Sequence, residues 1–220
     1  MHFTGMNDTT YARVRDRIRE DILTGVFAPG VRLVVAELVQ RYGVSQMPIR
    51  EALQQLQGEG LVSLLPQKGA SVRKLDEHFI SNMYDVRMAI ETMLVRRSIE
   101  YMTESQICVL EQIQNDYEIA VESDKMSEAL HLNEKFHSII NVTAHNPEAV
   151  KIIDQHWGLI DSLRSKFGFS NKRVKEIISD HRQIIEALKQ RDVQLAATVT
   201  EKHVKEAKDD LILRMRTLTE

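Results

Sequence analysis

Beyond Gly69 the 220-residue chain carries one proline, Pro147, and two glycines, Gly158 and Gly168. Proline removes a backbone donor and glycine loses the most conformational entropy on ordering, so both interrupt helices. A stretch this long with so few of them, and without the apolar–polar alternation of strands, must fold mainly as helices. Punctuation at Gly158, Gly168, Asn146-Pro147 and Ser170-Asn171 predicts six helices, over roughly 77–102, 104–123, 125–144, 147–168, 171–190 and 192–216. Their apolar stripes can bury one continuous core as an antiparallel bundle, which makes residues 76–220 a helical domain.

Residues 1–75 read differently. Tyr11, Val14, Ile18 and Ile22 form one apolar face of a helix, with Thr9 or Thr10 to cap it and Gly25 at its exit. After the Pro29-Gly30 turn, "VAELVQRYG" is a short helix ended by Gly43. A second follows in "SQMPIREALQQLQGEG", with Ser45 at its cap and Pro48 in its first turn, where a missing N–H costs nothing. Met47, Ala52 and Leu56 are expected inside, and Gln46, Arg50 and Gln54 on one outward stripe. Two short helices joined by a glycine turn suit a helix-turn-helix, whose second helix can enter the DNA major groove. The apolar segments around Pro66 and Gly69 predict a β-hairpin wing, placing Lys68 and the Gly69 backbone to reach a phosphate or the minor groove. The fold class is therefore mainly α, a winged helix-turn-helix followed by the bundle.

Charge follows the same division. Residues 1–75 hold ten Lys+Arg against seven Asp+Glu, a formal +3, and residues 76–220 hold nineteen against twenty-five, a formal −6. The overall −3 thus conceals a basic front that suits a polyanion and an acidic rear with another task. Cys108 is the sole cysteine, which excludes an internal disulfide, points to a reducing cytoplasm and is expected as a small apolar filler in its helix. No run of about eighteen apolar residues and no signal-peptide pattern is present, so no membrane partner is expected.

The joint pattern "PG-x-RL", "GVS-x-x-PIREAL" and "GLV…KGA-x-V" closely resembles the winged-helix domain of GntR-family transcription regulators over about residues 10–74. The resemblance implies a homodimer on a palindromic double-stranded operator, with Arg50 on a base or phosphate, Ser45 and Lys68 beside it, and Gly69 at the wing tip. Family members commonly carry arginine where this chain has Gln46, and some carry another at Ala36. Glutamine pairs bidentately with adenine, arginine with guanine. Gln46 either shifts the base read at one operator position or touches only a phosphate or water.

In the helical domain the informative residues are polar ones on apolar stripes: Leu130-Asn133-His137-Ile140-Ala144, then Val174-Ile177-His181-Ile184-Leu188, then Leu195-Val199-His203-Ala207-Leu211. A buried imidazole needs partners. Asn133 and His137 share a face at four-residue spacing. An antiparallel turn near Arg191 sets His181 and His203 at nearly equal height. Three imidazoles and an amide oxygen make either a divalent-metal site or a set of separately satisfied core histidines. Arg87 lies on an inward stripe with Ile80, Tyr84 and Leu94, and a buried guanidinium needs an anion.

"LNEKFHSII…AHNP", "DHRQIIEAL" and "EKHVKEA" resemble the FCD effector domain that accompanies one GntR branch. That resemblance implies a divalent metal (Zn, Ni or Mn) on Asn133, His137, His181 and His203, with an arginine of the first helix, Arg87, holding an effector carboxylate beside Tyr84. Glu91 is the competing internal partner for Arg87. Asn133 stands where aspartate is usual, so the donor set lacks a negative charge. The implied function is a ligand-responsive regulator, most often a repressor, sensing a small organic acid. A regulator with a purely structural metal is the alternative. A hydrolase is disfavoured, because no acid is obviously placed beside the histidines as a general base and a winged helix would be idle.

Overall fold

The computed structural model describes residues 10–66 and 68–219, which fall in two compact units dividing between Asp76 and Glu77. The first unit contains α1 (Thr10–Leu23), β1 (Arg32–Leu33), α2 (Val35–Tyr42), α3 (Gln46–Gly58), β2 (Val62–Leu65) and β3 (Gly69–Val72). Val14, Ile18 and Ile22 of α1 are buried, and α1 packs on α3, whose inward residues are Ile49, Ala52, Leu53 and Leu56. Thr9, one of the two expected caps, lies outside the described residues. A bidentate pair from Arg19 to Glu59 ties α1 to the chain just past α3. Gly43 takes the left-handed conformation (φ +67°) that ends α2 and turns the chain into α3.

Three observations correct the expectations for this unit. Met47 is not inside: it is 64% exposed, because Ile49 and Leu53 fill the core face one turn on. Ser45 sits at the N-cap, but its side chain makes no cap hydrogen bond. The wing is more than a hairpin. β1 adds an edge strand to give the antiparallel order β1-β3-β2, with Arg32 opposite Ser71 and Val62 opposite Val72. Two residues with one buried side chain, Leu33, carry too little alternation to show as a strand in sequence.

The second unit is six helices: α4 (Glu77–Tyr101), α5 (Glu104–Glu122), α6 (Met126–Thr143), α7 (Pro147–Phe167), α8 (Asn171–Gln190) and α9 (Val193–Thr219). Their starts follow local chemistry. Thr103 and Gln106 form a reciprocal capping box on α5, Asn146 accepts from Ala149 N with Pro147 behind it, and Ser170 accepts from Arg173 N. Arg191 turns α8 into α9 in a left-handed conformation, and its guanidinium donates to the carbonyls of Ile99 and Met102. α9 packs along α4 and α8, α5 lies against α6 and α8, and α6 also meets α4 and α7. Phe136, Leu110, Ile184, Leu188 and Val95 anchor the core. Cys108 is exposed, not a core filler: α5 turns Ile107 and Leu110 inward, and Cys108 falls on the opposite side. Leu195 is also exposed, leaving Ala196 and Val199 to fill the core at the start of α9. Among the described residues no helix is long and apolar enough to cross a membrane.

Candidate DNA interface and metal centre

In the first unit, Gln46, Arg50 and Gln54 are all exposed along one side of α3. With Arg32, Lys68 and Gly69 they line a groove of about 470 Å³ between α3 and the wing. Ser45 is exposed at the N-terminus of the same helix but is not part of the groove wall. Arg32, unassigned from sequence although it stands in the "PG-x-RL" pattern, donates from Nε to the Lys68 carbonyl at 2.9 Å. It therefore braces the wing turn from which Lys68 projects. Gly69 has a structural duty beyond any ligand contact. Its φ is +89°, and a Cβ there would overlap the Leu33 carbonyl oxygen, so only glycine lets β1 close on β3.

In the second unit, α6, α8 and α9 bring His137, His181 and His203 together, with ring centroids 5.0–5.2 Å apart. All three are buried, and one ring nitrogen from each lies within 4.8 Å of the others, so the cluster could hold a metal ion. Two of the outer nitrogens are anchored. His181 Nδ1 lies 2.8 Å from Gln114 Oε1, and Gln114 Nε2 donates to Glu118, which orients the amide oxygen toward the imidazole. Nδ1 is thus the donor and Nε2 keeps its lone pair. His203 Nδ1 lies 3.2 Å from Asp180 Oδ2 and 3.0 Å from Arg173 Nη2. Arg173 Nη2 already donates to the His203 carbonyl at 2.8 Å, and a carboxylate is the stronger acceptor, so Nδ1–H facing Asp180 is the favoured tautomer. His137 Nδ1 lies 3.7 Å from Glu91.

The inner atoms tell the complementary story. His137 Nε2, His181 Nε2 and Asn133 Oδ1 are buried without a hydrogen-bond partner. Unpaired buried acceptors are costly, and a cation held by the histidine cluster would satisfy its ring nitrogens. Burial, with the charges of Arg87 and Arg173 nearby, pushes the His137 and His203 pKa values well below the usual range, and His181 is lowered by burial and by its neighbours likewise. The rings are therefore neutral near pH 7, the form that ligates metal.

Arg87 is buried and takes its internal partner, Glu91. Its Nε donates to Glu91 Oε1 at 2.6 Å, so the internal pair is formed. Nη2 also reaches Glu91 Oε2 at 3.5 Å, so the pair occupies the Nε–Nη2 edge of the fork, while the guanidinium plane lies over Trp157 with Cζ 4.3 Å from the ring centroid. Tyr84 is buried on the same helix face beside Arg87, whose Cζ lies 5.5 Å from its ring centroid. Both residues line a cavity of about 20 Å³ that also reaches Asn133, Trp157, Arg173 and His203. Such a space holds about one water.

Sequence reasoning missed Gln114, Asp180 and Arg173. Arg173, fully buried, pairs with Asp180 at 3.2 Å and Glu206 at 3.1 Å. It lies on the α8 stripe eight residues before His181, the signal that could have found it. Asp180 and Glu91 stand beside the histidines. Both face outer nitrogens, however, so they orient the rings and are turned away from the space a reacting water would occupy. His131 and His145 are exposed, and His156 is partly buried.

A wing and recognition helix with an exposed polar groove, joined in one chain to a helical unit with a polar core, define a two-part DNA-binding regulator. The bacterial regulatory protein gntR family model matches residues 10–72, and the FCD domain model matches residues 82–206. The chain is 30% identical to the HTH-type transcriptional repressor RspR of Escherichia coli (strain K12), over 88% of this chain and 85% of that one. It is 27% identical to the uncharacterized HTH-type transcriptional regulator YdhC of Bacillus subtilis (strain 168), over 84% of each. Its fold is shared with the solved structure of E. coli McbR/YncC, at a TM-score of 0.72 and 20% identity, covering 94% of this chain and 99% of that one. The chain belongs to the GntR family, in the branch that carries an FCD domain. It is a DNA-binding transcriptional regulator and not an enzyme.

Proposed function

We propose that the protein is a metabolite-responsive repressor in which the helical unit senses a small carboxylate through a divalent metal. The carrying observation is the cluster of three buried imidazoles, two of them held at Nδ1 by Gln114 and Asp180, with the Nε2 atoms of His137 and His181 and Asn133 Oδ1 left without hydrogen-bond partners. Asn133, His137, His181 and His203 would hold the ion; of zinc, nickel and manganese, the imidazole-rich set suits the first two, manganese favouring oxygen donors. Bound there, the metal would supply a positive centre for an acid group. The Nη1 side of Arg87, left over by its pairing with Glu91, and the neighbouring Tyr84 would orient that group. Gln46, Arg50, Ser45, Lys68 and Gly69 would meet a palindromic operator, read by a homodimer. The exposed Val86, Met93 and Tyr101 at helical spacing on α4 suit a self-complementary face.

A cavity of about 20 Å³ cannot take a carboxylate beside a metal without its walls moving. Ligand binding would therefore discriminate between two arrangements of the helices, which is what coupling to operator affinity requires. The same small cavity favours a second reading, a purely structural metal. Titration of metal-loaded protein with carboxylates, followed by operator binding, separates the two. A saturable carboxylate effect that is lost in His203→Ala supports sensing, and no effect of any acid supports the structural role. Because the donors are all neutral, Asn133→Asp should tighten metal binding about tenfold or more, measured by competition with a chelator. Equal or weaker binding would remove Asn133 from the site.

A further inference from the structure

α3 carries one large apolar side chain where its packing needs none. Ile49, Ala52, Leu53 and Leu56 fill the core side of the helix, yet Met47 is 64% exposed, more than any other large hydrophobic among the described residues. A single exposed apolar side chain is ordinary on a protein surface, so its position must carry the argument. Met47 lies in the first turn of α3, directly after Gln46 and three residues before Arg50. It precedes Gln54 by seven residues, close to two full turns, so the two point the same way, out from the core. Glu51, one turn on from Met47, is exposed on that side as well. Neither Met47 nor Glu51 can hold a phosphate, since one has no charge and the other has the wrong sign. Their stripe suits base edges, with the phosphates left to cations such as Lys68 on the wing.

We propose that Met47 determines specificity, its thioether packing on the C5-methyl of an operator thymine. The inference rests on the reading that α3 is the helix that enters the operator groove. The first residues of a recognition helix come nearest to the base edges. A thioether there donates no hydrogen bond and accepts one only weakly, so the donor and acceptor pattern of the bases offers it little. Of the groups that base pairs present in the major groove, the thymine methyl alone is apolar. Methionine is unbranched and turns about three bonds, which lets it settle on such a methyl without exact placement. The contact would add a term that Gln46 and Arg50 cannot supply, because hydrogen bonds do not distinguish thymine from uracil.

The test uses the full-length protein and a duplex recovered from a random library by binding-site selection. Uracil then replaces thymine one position at a time, which removes the methyl and keeps every hydrogen-bonding group of the base pair. At one position or more the replacement should weaken wild-type binding about fourfold, the effect of burying one methyl group. In Met47→Ala and Met47→Gln, which leave the core untouched, thymine and uracil at that position should bind equally. 5-Methylcytosine should likewise bind more tightly than cytosine there, in the wild type only. Indifference of the wild type to every uracil replacement would overturn the inference, as would methyl effects that are the same in the wild type and both variants. Arg50→Ala separates this failure from that of the underlying reading. If it leaves affinity and selected sequence unchanged, α3 does not read the operator and both fall. If it impairs operator binding while the Met47 variants keep every methyl effect, only the role of Met47 falls.

Discussion

Asp180→Asn should weaken metal binding without touching a metal-facing atom. Asp180 is fully buried and accepts from Arg173 Nη1 at 3.2 Å and Lys202 Nζ at 3.0 Å, with His203 Nδ1 3.2 Å away. An amide there offers one acceptor oxygen where three donors now converge, and its NH2 group faces donors. The cheapest repair makes His203 Nδ1 the acceptor for Arg173 Nη2, already 3.0 Å away, which moves the ring proton to Nε2. A protonated Nε2 cannot ligate. Loss of such an outer partner costs about 10–100-fold in metal affinity, or about 1.4–2.7 kcal/mol. The variant should also lose stability, toward the lower end of the roughly 3–5 kcal/mol seen when a buried pair is broken, because Glu206 still faces Arg173. Glu206→Gln is the control: it weakens the Arg173 pairing yet makes no contact with the imidazole, so metal affinity should change little. Chelator competition gives the affinity, and ring-nitrogen NMR shifts of the metal-free protein give the tautomer. Unchanged affinity in Asp180→Asn, or a His203 tautomer that does not move, would refute the argument.

Other consequences are as definite. Gln46→Arg should move the preference at one operator position from adenine toward guanine in binding-site selection, and an unaltered selected sequence would show that Gln46 reads no base. Gly69→Ala should destabilise the DNA-binding unit by about 3 kcal/mol or more, through left-handed strain and overlap with the Leu33 carbonyl. Gly58→Ala, where an added Cβ meets nothing, should be neutral or stabilise by up to about 1 kcal/mol, and equal thermal shifts for the two would contradict this account. In metal-free protein the three buried histidines have folded pKa values well below the unfolded value, chiefly through burial. Below about pH 6.5 the unfolded chain therefore binds more protons, and stability, complete above that pH, should fall by up to about 1.4 kcal/mol per pH unit per histidine as pH decreases. Denaturant unfolding at pH 5.5 and 7.5 checks the sign, and greater stability at the lower pH would contradict neutral burial.

What the sequence revealed, and what it hid, follows from the range of the forces involved. The six helices end within a few residues of their expected limits because Asn146-Pro147, Ser170 and Arg191 act on their immediate neighbours. His137, His181 and His203 were legible because each interrupts an apolar stripe, and a turn of known position sets two of them level. Met47 and Cys108 went wrong for a shared reason. Residue type gives an apolar tendency, but the face is decided by the neighbours that occupy the core side, Ile49 and Leu53 in one case, Ile107 and Leu110 in the other. The partners were hidden more deeply. Gln114 meets His181 across 67 positions and Arg173 meets His203 across 30, so no local pattern couples them. One rule would still have pointed there. A buried imidazole that offers one nitrogen to an ion needs an acceptor for the other, so every inward histidine implies a buried polar residue on a facing helix. Gln114, on the inner side of α5 between Ile113 and Tyr117, is such a residue, and Asp180 precedes His181 directly. Polar interruptions of apolar stripes are therefore best read in pairs, since a buried polar atom left alone is the arrangement a folded core tolerates least.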